Sequence, residues 1–345
     1  MTMHHNVFNR IRRLAALLLA AVLVATTAPS PSRAAQDIRL YMPVLYGLGN
    51  QGETPADVAI ARVNRYRAQA GVPLVQLDAA LLDAAQRHAT YAILNDGDAS
   101  AWVDGPHGEI RGKPGFSGAT MSDRARATHF PYAVSAEVID YRDDPAGSVD
   151  DLMATVVHRM GLLFPWHQYG GYGHGRSPRA AVDVLDFGRG QTETLDLPHV
   201  VVFPAAGQAG VPIIGWDEAP SVLPPNAPYP FGYPVTAQLA GGSALSVSQA
   251  ELRDGTGAPV AVHPNPDGCA AVCYALIPVN PLTPSTRYTA HIAGTVDGTP
   301  FETTWTFTTA SCANQRDCFP ASAAAGDRFS PGERWLARSP SERPS

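Results

Sequence analysis

Hydrophobic positions follow two patterns along the chain, and the change falls soon after residue 204. From Thr54 onward, Ala59, Val63, Tyr66 and Ala70 return at the three-to-four-residue spacing of an amphipathic helix. Thr54-Pro55-Ala56-Asp57 supplies a capping box with Pro at the first helical position, and Gly71 supplies the stop. A second helix is expected after Asp78, with Leu82, Ala85, Ala89 and Ile93 on one face. A third, short one is expected over 122–128, and a fourth opens at a second capping box, Ser148-Val149-Asp150-Asp151, and runs to about Arg159. Strands are expected over 133–141, 169–173, 181–187 and 197–203. Helices gathered early and strands late predict α+β packing, not alternating βαβ units.

Beyond a proline-dense stretch, richest over 219–233, short apolar segments at 235–239, 274–277, 288–292 and 301–308 alternate with Gly and Pro clusters. That spacing predicts an all-β sandwich. Leu282-Thr283-Pro284-Ser285-Thr286-Arg287-Tyr288 has the form of a tyrosine corner, in which a Tyr hydroxyl bonds back to nearby upstream backbone. From about Phe319 the chain is rich in Ser, Pro, Arg and Ala and is expected to be disordered. The expected division is therefore a leader over 1–34, a linker over 35–53, an α+β domain over 54–204, a Pro-rich linker over 205–230, a β-sandwich over 231–310 and a disulfide-containing tail over 311–345.

Charge narrows the partners. The formal net charge is -6, and Lys113 is the only lysine. Arg10, Arg12, Arg13 and Arg33 lie in the first 34 residues, which hold no acid, so the remainder carries -10. An acidic chain is a poor nucleic-acid binder, and a single lysine without a Walker-type motif leaves little room for Schiff-base or P-loop chemistry. The arginines precede an apolar run over 14–25, and Ser32-Arg33-Ala34 follows, which is the order of a secretory signal. The run is too short for a membrane span. A retained signal anchor is the rival reading; a soluble, secreted protein without a transmembrane anchor is the expectation.

Export fits the cysteines. Cys269, Cys273, Cys312 and Cys318 are an even set. Three pairings are open, with the local ones, Cys269 to Cys273 and Cys312 to Cys318, preferred because each flanks a short turn. A four-thiolate zinc site is the competing reading, disfavoured by the spacing.

Histidine marks where chemistry would sit: His88, His107, His129, His158, His167, His174 and His199 all precede the β segment. His107-Gly108-Glu109 lies in a Gly- and Pro-rich loop, Glu137 lies inside an apolar strand, and His158-Arg159 end an apolar helix. Each has a bland alternative: a surface-loop His, an edge-strand Glu facing water, and a helix-terminal His complementing the dipole. No Gly-x-Ser-x-Gly or His-Glu-x-x-His occurs, and the His-rich block has no cysteine, so covalent catalysis has no support.

Val63-Asn64-Arg65-Tyr66-Arg67, Gly71-Val72-Pro73-Leu74 and the run from Leu77 to Ala89 are followed in order by His107, Pro114-Gly115-Phe116-Ser117-Gly118, Asp123-Arg124-Ala125, Ala136-Glu137-Val138, His158-Arg159 and Gly171-Tyr172-Gly173. This set resembles the bacterial CAP domains, relatives of the cysteine-rich secretory and pathogenesis-related proteins. The resemblance covers about 55–204 and implies an α-β-α sandwich whose shallow cleft gathers two His and acidic residues, often around a divalent cation. It places His107 and His158 as metal-ligand candidates for zinc, calcium or magnesium, Glu137 as base or orienter, and Glu109 and Arg159 at the cleft. The chain departs from the animal and plant pattern: Ala136-Glu137-Val138 stands for Gly-Glu-Asn, and the helical Trp-Tyr-x-Glu is unmatched. Glu109 is the candidate for the fourth polar group. The segment ending Trp305-Thr306-Phe307-Thr308-Thr309 resembles bacterial Ig-like domains.

The favoured function is an extracellular or cell-envelope binding module for a small lipid-like or envelope ligand or another extracellular protein. The alternative is a metal-dependent hydrolase of peptide or cell-wall polymer, and a purely structural His/Glu network is the third reading.

Overall fold

The computed structural model describes residues 53–103, 105–191, 199–269 and 271–312. The expected leader, Leu197 and the tail with Cys318 lie outside them.

Helix α1 (Pro55–Ala70) begins as its sequence dictates. The Thr54 hydroxyl accepts the Asp57 N–H, the Asp57 carboxylate accepts the Thr54 N–H at 2.8 Å, and Gly71 closes the helix at φ 71°. After strand β1 (Gln76–Leu77), Asp78 caps α2 (Ala79–Leu94). A ribbon of β2 (Trp102–Val103) and β3 (Gly108–Glu109) leads to α3 (Met121–Ala127), strand β4 (Val134–Asp140), α4 (Pro145–Met153), α5 (Val157–Leu163), and strands β5 (His167–Arg176) and β6 (Ala181–Arg189).

The sheet runs β1-β5-β6-β4, with β1 parallel to β5 and the other pairs antiparallel. Helix α2, with α3 beside it, covers one face; α1, α4 and α5 pack on the other. Glycine makes the first of these contacts close: a Cβ on Gly171 or Gly173 would lie 2.2 Å from the backbone of Leu81 or Ala85. Helix α2 therefore rests directly on β5. Its buried face is Leu81, Ala84, Ala85, His88, Ala89 and Tyr91, so the expected stripe of Leu82 and Ile93 is rotated and both are only half-buried.

The fourth expected helix is two helices. Helix α4 starts at Pro145, before the expected box, and Ser148 hydrogen-bonds the buried Asp183 instead of capping. The helix stops at Met153, and α5 restarts at Val157. The restart is held from outside: Glu218 accepts the amides of Val156 and Val157 at 2.9 and 2.8 Å and that of His158 at 3.1 Å. His158 therefore lies at the start of a helix, not at the end of one.

The C-terminal part consists of β7 (Val200–Phe203), β8 (Val235–Leu239), β9 (Leu245–Arg253), β10 (Val262–His263), β11 (Cys273–Pro278), β12 (Arg287–Val296) and β13 (Thr299–Thr308). They form two antiparallel sheets, β10-β11-β8-β7 and β13-β12-β9. Strand β7, expected to end the first block, pairs with β8 and belongs to the C-terminal part. Strand β9, absent from the expectation, is largely exposed, and Ser, Gln and Glu dilute its apolar pattern. The tyrosine corner is present, with the Thr283 N–H donating to the Tyr288 hydroxyl at 2.8 Å. Cys269 and Cys273 form a disulfide.

The Pro-rich stretch does not hold two bodies apart. One apolar cluster runs from Ile60, Val63 and Leu162 through Phe203 and Tyr233 to Val235, Leu276, Ile292, Trp305 and Phe307. Phe231 and Tyr233 are buried at the seam.

Candidate functional site

Strand β4 is an edge of the first sheet, and Glu137 points from it toward α2. A carboxylate at that depth needs partners. His107 Nδ1 lies 2.9 Å from Glu137 Oε1, and Arg124 Nη2 of α3 lies 2.5 Å from Oε2. Burial would raise this carboxyl, but the pull of His88, the hydrogen bond from His107 and the charge of Arg124 outweigh it and hold it down at about 2. Glu137 is not the solvent-facing edge residue of the bland reading. Directly opposite it in the ladder stands Asp186 of β6, fully buried. Burial, then the charge of Glu137, push that carboxyl well above its ordinary range.

His158 has a carboxylate of its own. Its Nδ1 lies 2.8 Å from Glu218 Oε2, and Thr155 Oγ1 is 3.3 Å from the same nitrogen. Burial raises the Glu218 carboxyl, but the bond to His158, its charge and the helix amides prevail and lower it. Both pairs line one cavity of about 1020 Å³. Its opposite wall is the segment 218–225, and the turn 264–268 completes it. His107 remains 41% exposed in its side chain and His158 19%.

Two expected cleft residues do not line this cavity. Glu109 is buried beneath it, bound to His88 Nδ1 at 2.9 Å and to the Ser117 and Gly118 amides at 2.6 and 3.2 Å. Burial raises its carboxyl, but His88, Ser117 and Arg124 more than reverse this. Glu109 organises the loop from β3 to α3. Arg159 is fully buried at the seam of the two parts. Its Nε donates to the Met153 carbonyl at 2.7 Å and its Nη1 to the Pro234 carbonyl at 2.6 Å, with the guanidinium over Phe203 and Tyr233.

A divalent cation, which the resemblance implied, does not fit these residues. Catalytic zinc sites offer three protein ligands, and calcium or magnesium needs free carboxylate or carbonyl oxygens. Here the carboxylate oxygens of Glu137 are engaged by His107 and Arg124, and those of Glu218 by His158 and helix amides, which leaves two imidazoles. Among the described residues no three His, Cys, Asp or Glu side chains are arranged to hold a metal.

The sequence offered no sign of Glu218, which stands before a proline-rich run far from any motif. Asp186 carried one unused signal, an acid in the apolar run Val182 to Phe187. Arg124 stood within the recognised Asp123-Arg124-Ala125 but had no assigned role.

No helix among the described residues is long and apolar enough to cross a membrane. A search of curated proteins found no match. Among solved structures, an outer surface protein from Borrelia burgdorferi aligns with 42% of this chain and 98% of its own, at 12% identity and a TM-score of 0.31. The family model described as the cysteine-rich secretory protein family, CAP, matches residues 60–182. Over those residues, which carry His107, Glu137 and His158, the chain is similar to the CAP domains of the cysteine-rich secretory protein family.

Proposed function

We propose that the protein is an extracellular binding module whose CAP-domain cleft holds one small, partly apolar ligand. The observation that carries this reading is the cavity of about 1020 Å³ in which two imidazole–carboxylate pairs face a wall of apolar and proline side chains. A few placed polar groups within an apolar concavity of this size are the usual make-up of a small-molecule site. The extracellular setting rests on the leader-like N-terminus, the cysteine pair and the CAP resemblance. In this reading the C-terminal sheets are an Ig-like module that fixes the cleft at the cell envelope, and the segment 218–225 belongs to the site as well as to the connection between the parts. The hydrolase reading required a metal held by His107 and His158, and the engaged carboxylates do not supply its further ligand.

The test is a titration of the purified chain with a neutral apolar fluorophore, diphenylhexatriene, beside the variant Gly268→Trp. A Cβ at Gly268 meets only Val157 Cγ2, at 3.9 Å, so the indole can enter the cleft without disturbing the fold. Saturable uptake near one equivalent, lost in the variant, is expected. Uptake unchanged by the indole, or none at all, would overturn the reading.

A further inference from the structure

We propose that the cleft selects an organic ammonium group carried on an apolar chain. The inference rests on the reading of the cavity as a ligand site and adds the chemical class that the site accepts. It follows from an inventory of hydrogen-bond donors and acceptors.

The two imidazoles come first. An ionised carboxylate can only accept, so the nitrogen facing it must carry the proton. His107 Nδ1 donates to Glu137 at 2.9 Å and His158 Nδ1 donates to Glu218 at 2.8 Å. Both rings are thereby fixed in one tautomer, and each neutral ring keeps its lone pair on Nε2. Neither Nε2 has a hydrogen-bond partner among the described residues. The polar end of the cleft thus offers two imidazole lone pairs beside two carboxylates.

The rest of the lining adds few side-chain donors: Asn265, whose Oδ1 accepts the Ala275 N–H at 2.8 Å, brings its amide NH2, and no other neutral side chain among the described lining residues has a free donor. No lysine or arginine is among the described residues that line the cavity. Arg124 lies beneath Glu137 and is committed to it at 2.5 Å and to the His107 carbonyl at 3.1 Å. Six lining residues, Pro106, Pro220, Pro224, Pro225, Pro264 and Pro266, have no amide hydrogen. The Ser221 hydroxyl donates to Asp217 at 2.8 Å. Asp267, exposed at the rim, adds a further acceptor and a negative charge.

A ligand enters such a site without stranded polar groups only if its polar end donates and its remainder needs no partner. An alkylammonium meets both conditions: it has three N–H donors, and its chain lies against Val157, Val222, Leu223 and the prolines. A fatty carboxylate would bring two acceptor oxygens to lone pairs and carboxylates. A peptide would bring backbone carbonyls to a wall in which six residues have no N–H to give. The amine is favoured over both.

The experiment is isothermal titration of the full chain at neutral pH with decylamine, decanoic acid and the tripeptide Ala-Lys-Ala, each below any aggregation threshold. Decylamine is expected to bind at least tenfold more tightly than decanoate, with the tripeptide weaker than decylamine. Asp267→Asn, at an exposed position with no packing role, is expected to weaken decylamine about threefold and to leave decanoate unchanged or improved. His158→Ala, checked for its fold by circular dichroism, is expected to weaken decylamine fivefold or more. Decanoate binding as tightly as the amine would overturn the choice of a cation while leaving the binding-module reading intact. A tripeptide tighter than decylamine, or amine binding indifferent to both substitutions, would overturn the inference. If none of the three binds and diphenylhexatriene does not bind either, both readings fail together.

Discussion

His158 and Glu218 stand 60 residues apart in the chain, yet the imidazole Nδ1 and the carboxylate Oε2 meet at 2.8 Å. The same carboxylate accepts the first amides of α5, so one side chain closes a helix end, orients a cleft imidazole and fastens the Pro-rich segment over the cleft. Replacing Glu218 by Ala removes all three. A loss of about 2–3 kcal/mol is expected from a lost cap and a lost charge-assisted bond, with Glu218→Gln keeping part of it. Urea unfolding at pH 7 measures this. A change within error of zero would mean that the cap is dispensable.

Arg159 occupies the seam and not the cleft. Burial lowers the pKa of this guanidinium, and its Nε and Nη1 donate to the Met153 and Pro234 carbonyls. Arg159→Ala strips the Pro234 carbonyl of its donor beside a cavity, while the Tyr233 hydroxyl still donates to the Met153 carbonyl, at a cost of about 3 kcal/mol. Ligand uptake by protein that remains folded should be unchanged. A binding defect without a stability defect would contradict the placement.

The opposed carboxyls of Glu137 and Asp186 give a pH dependence of two signs. Glu137 is held at about 2, below its ordinary 4.5, so its contribution is fully present above 4.5 and is lost as pH falls from there toward 2. Asp186 is raised, so its burial destabilises increasingly as pH climbs above its ordinary 3.8. Asp186→Asn should therefore increase stability at pH 7, by on the order of 1 kcal/mol, while Glu137→Gln should decrease it and flatten the acid limb. Thermal melts from pH 2 to 7 for both variants decide this. A destabilised Asp186→Asn at pH 7 would show that the acid is ionised in the fold.

The Cys269–Cys273 disulfide closes a short loop next to the 264–268 turn of the cleft wall. Chain-entropy arguments give about 2 kcal/mol for so small a loop. Because a single apolar core joins the helices to the C-terminal sheets, replacing both cysteines by Ser is expected to lower one shared melting transition, not a separate C-terminal one. Calorimetry showing two transitions would contradict the continuous core.

The elements that could be read from the chain are those written in neighbouring residues. Thr54 and Asp57 cap α1 from three positions apart, Asp78 caps α2, and the hydroxyl of Tyr288 is five residues from the Thr283 amide it accepts. The failures share one cause. Ser148-Val149-Asp150-Asp151 satisfied the local rule for a helix start, but the buried Asp183 took the serine hydroxyl, and the actual restart at Val157 is held by Glu218. The family resemblance brought His107, Glu137 and His158 forward as one set, and the fold puts all three on one cavity. It also suggested Glu109 as the fourth group, whereas that acid is consumed by His88 and the loop amides.

Sequence alone therefore determined where most helices and strands begin and which residue types were available for a site, because capping and side-chain alternation act over a few residues. Tertiary structure decided which carboxylate each imidazole received, that Arg159 ties the two parts together, and that Asp186 faces Glu137. Those choices depend on strand register and on which surfaces share a core, and no pattern of neighbouring residues encodes either one.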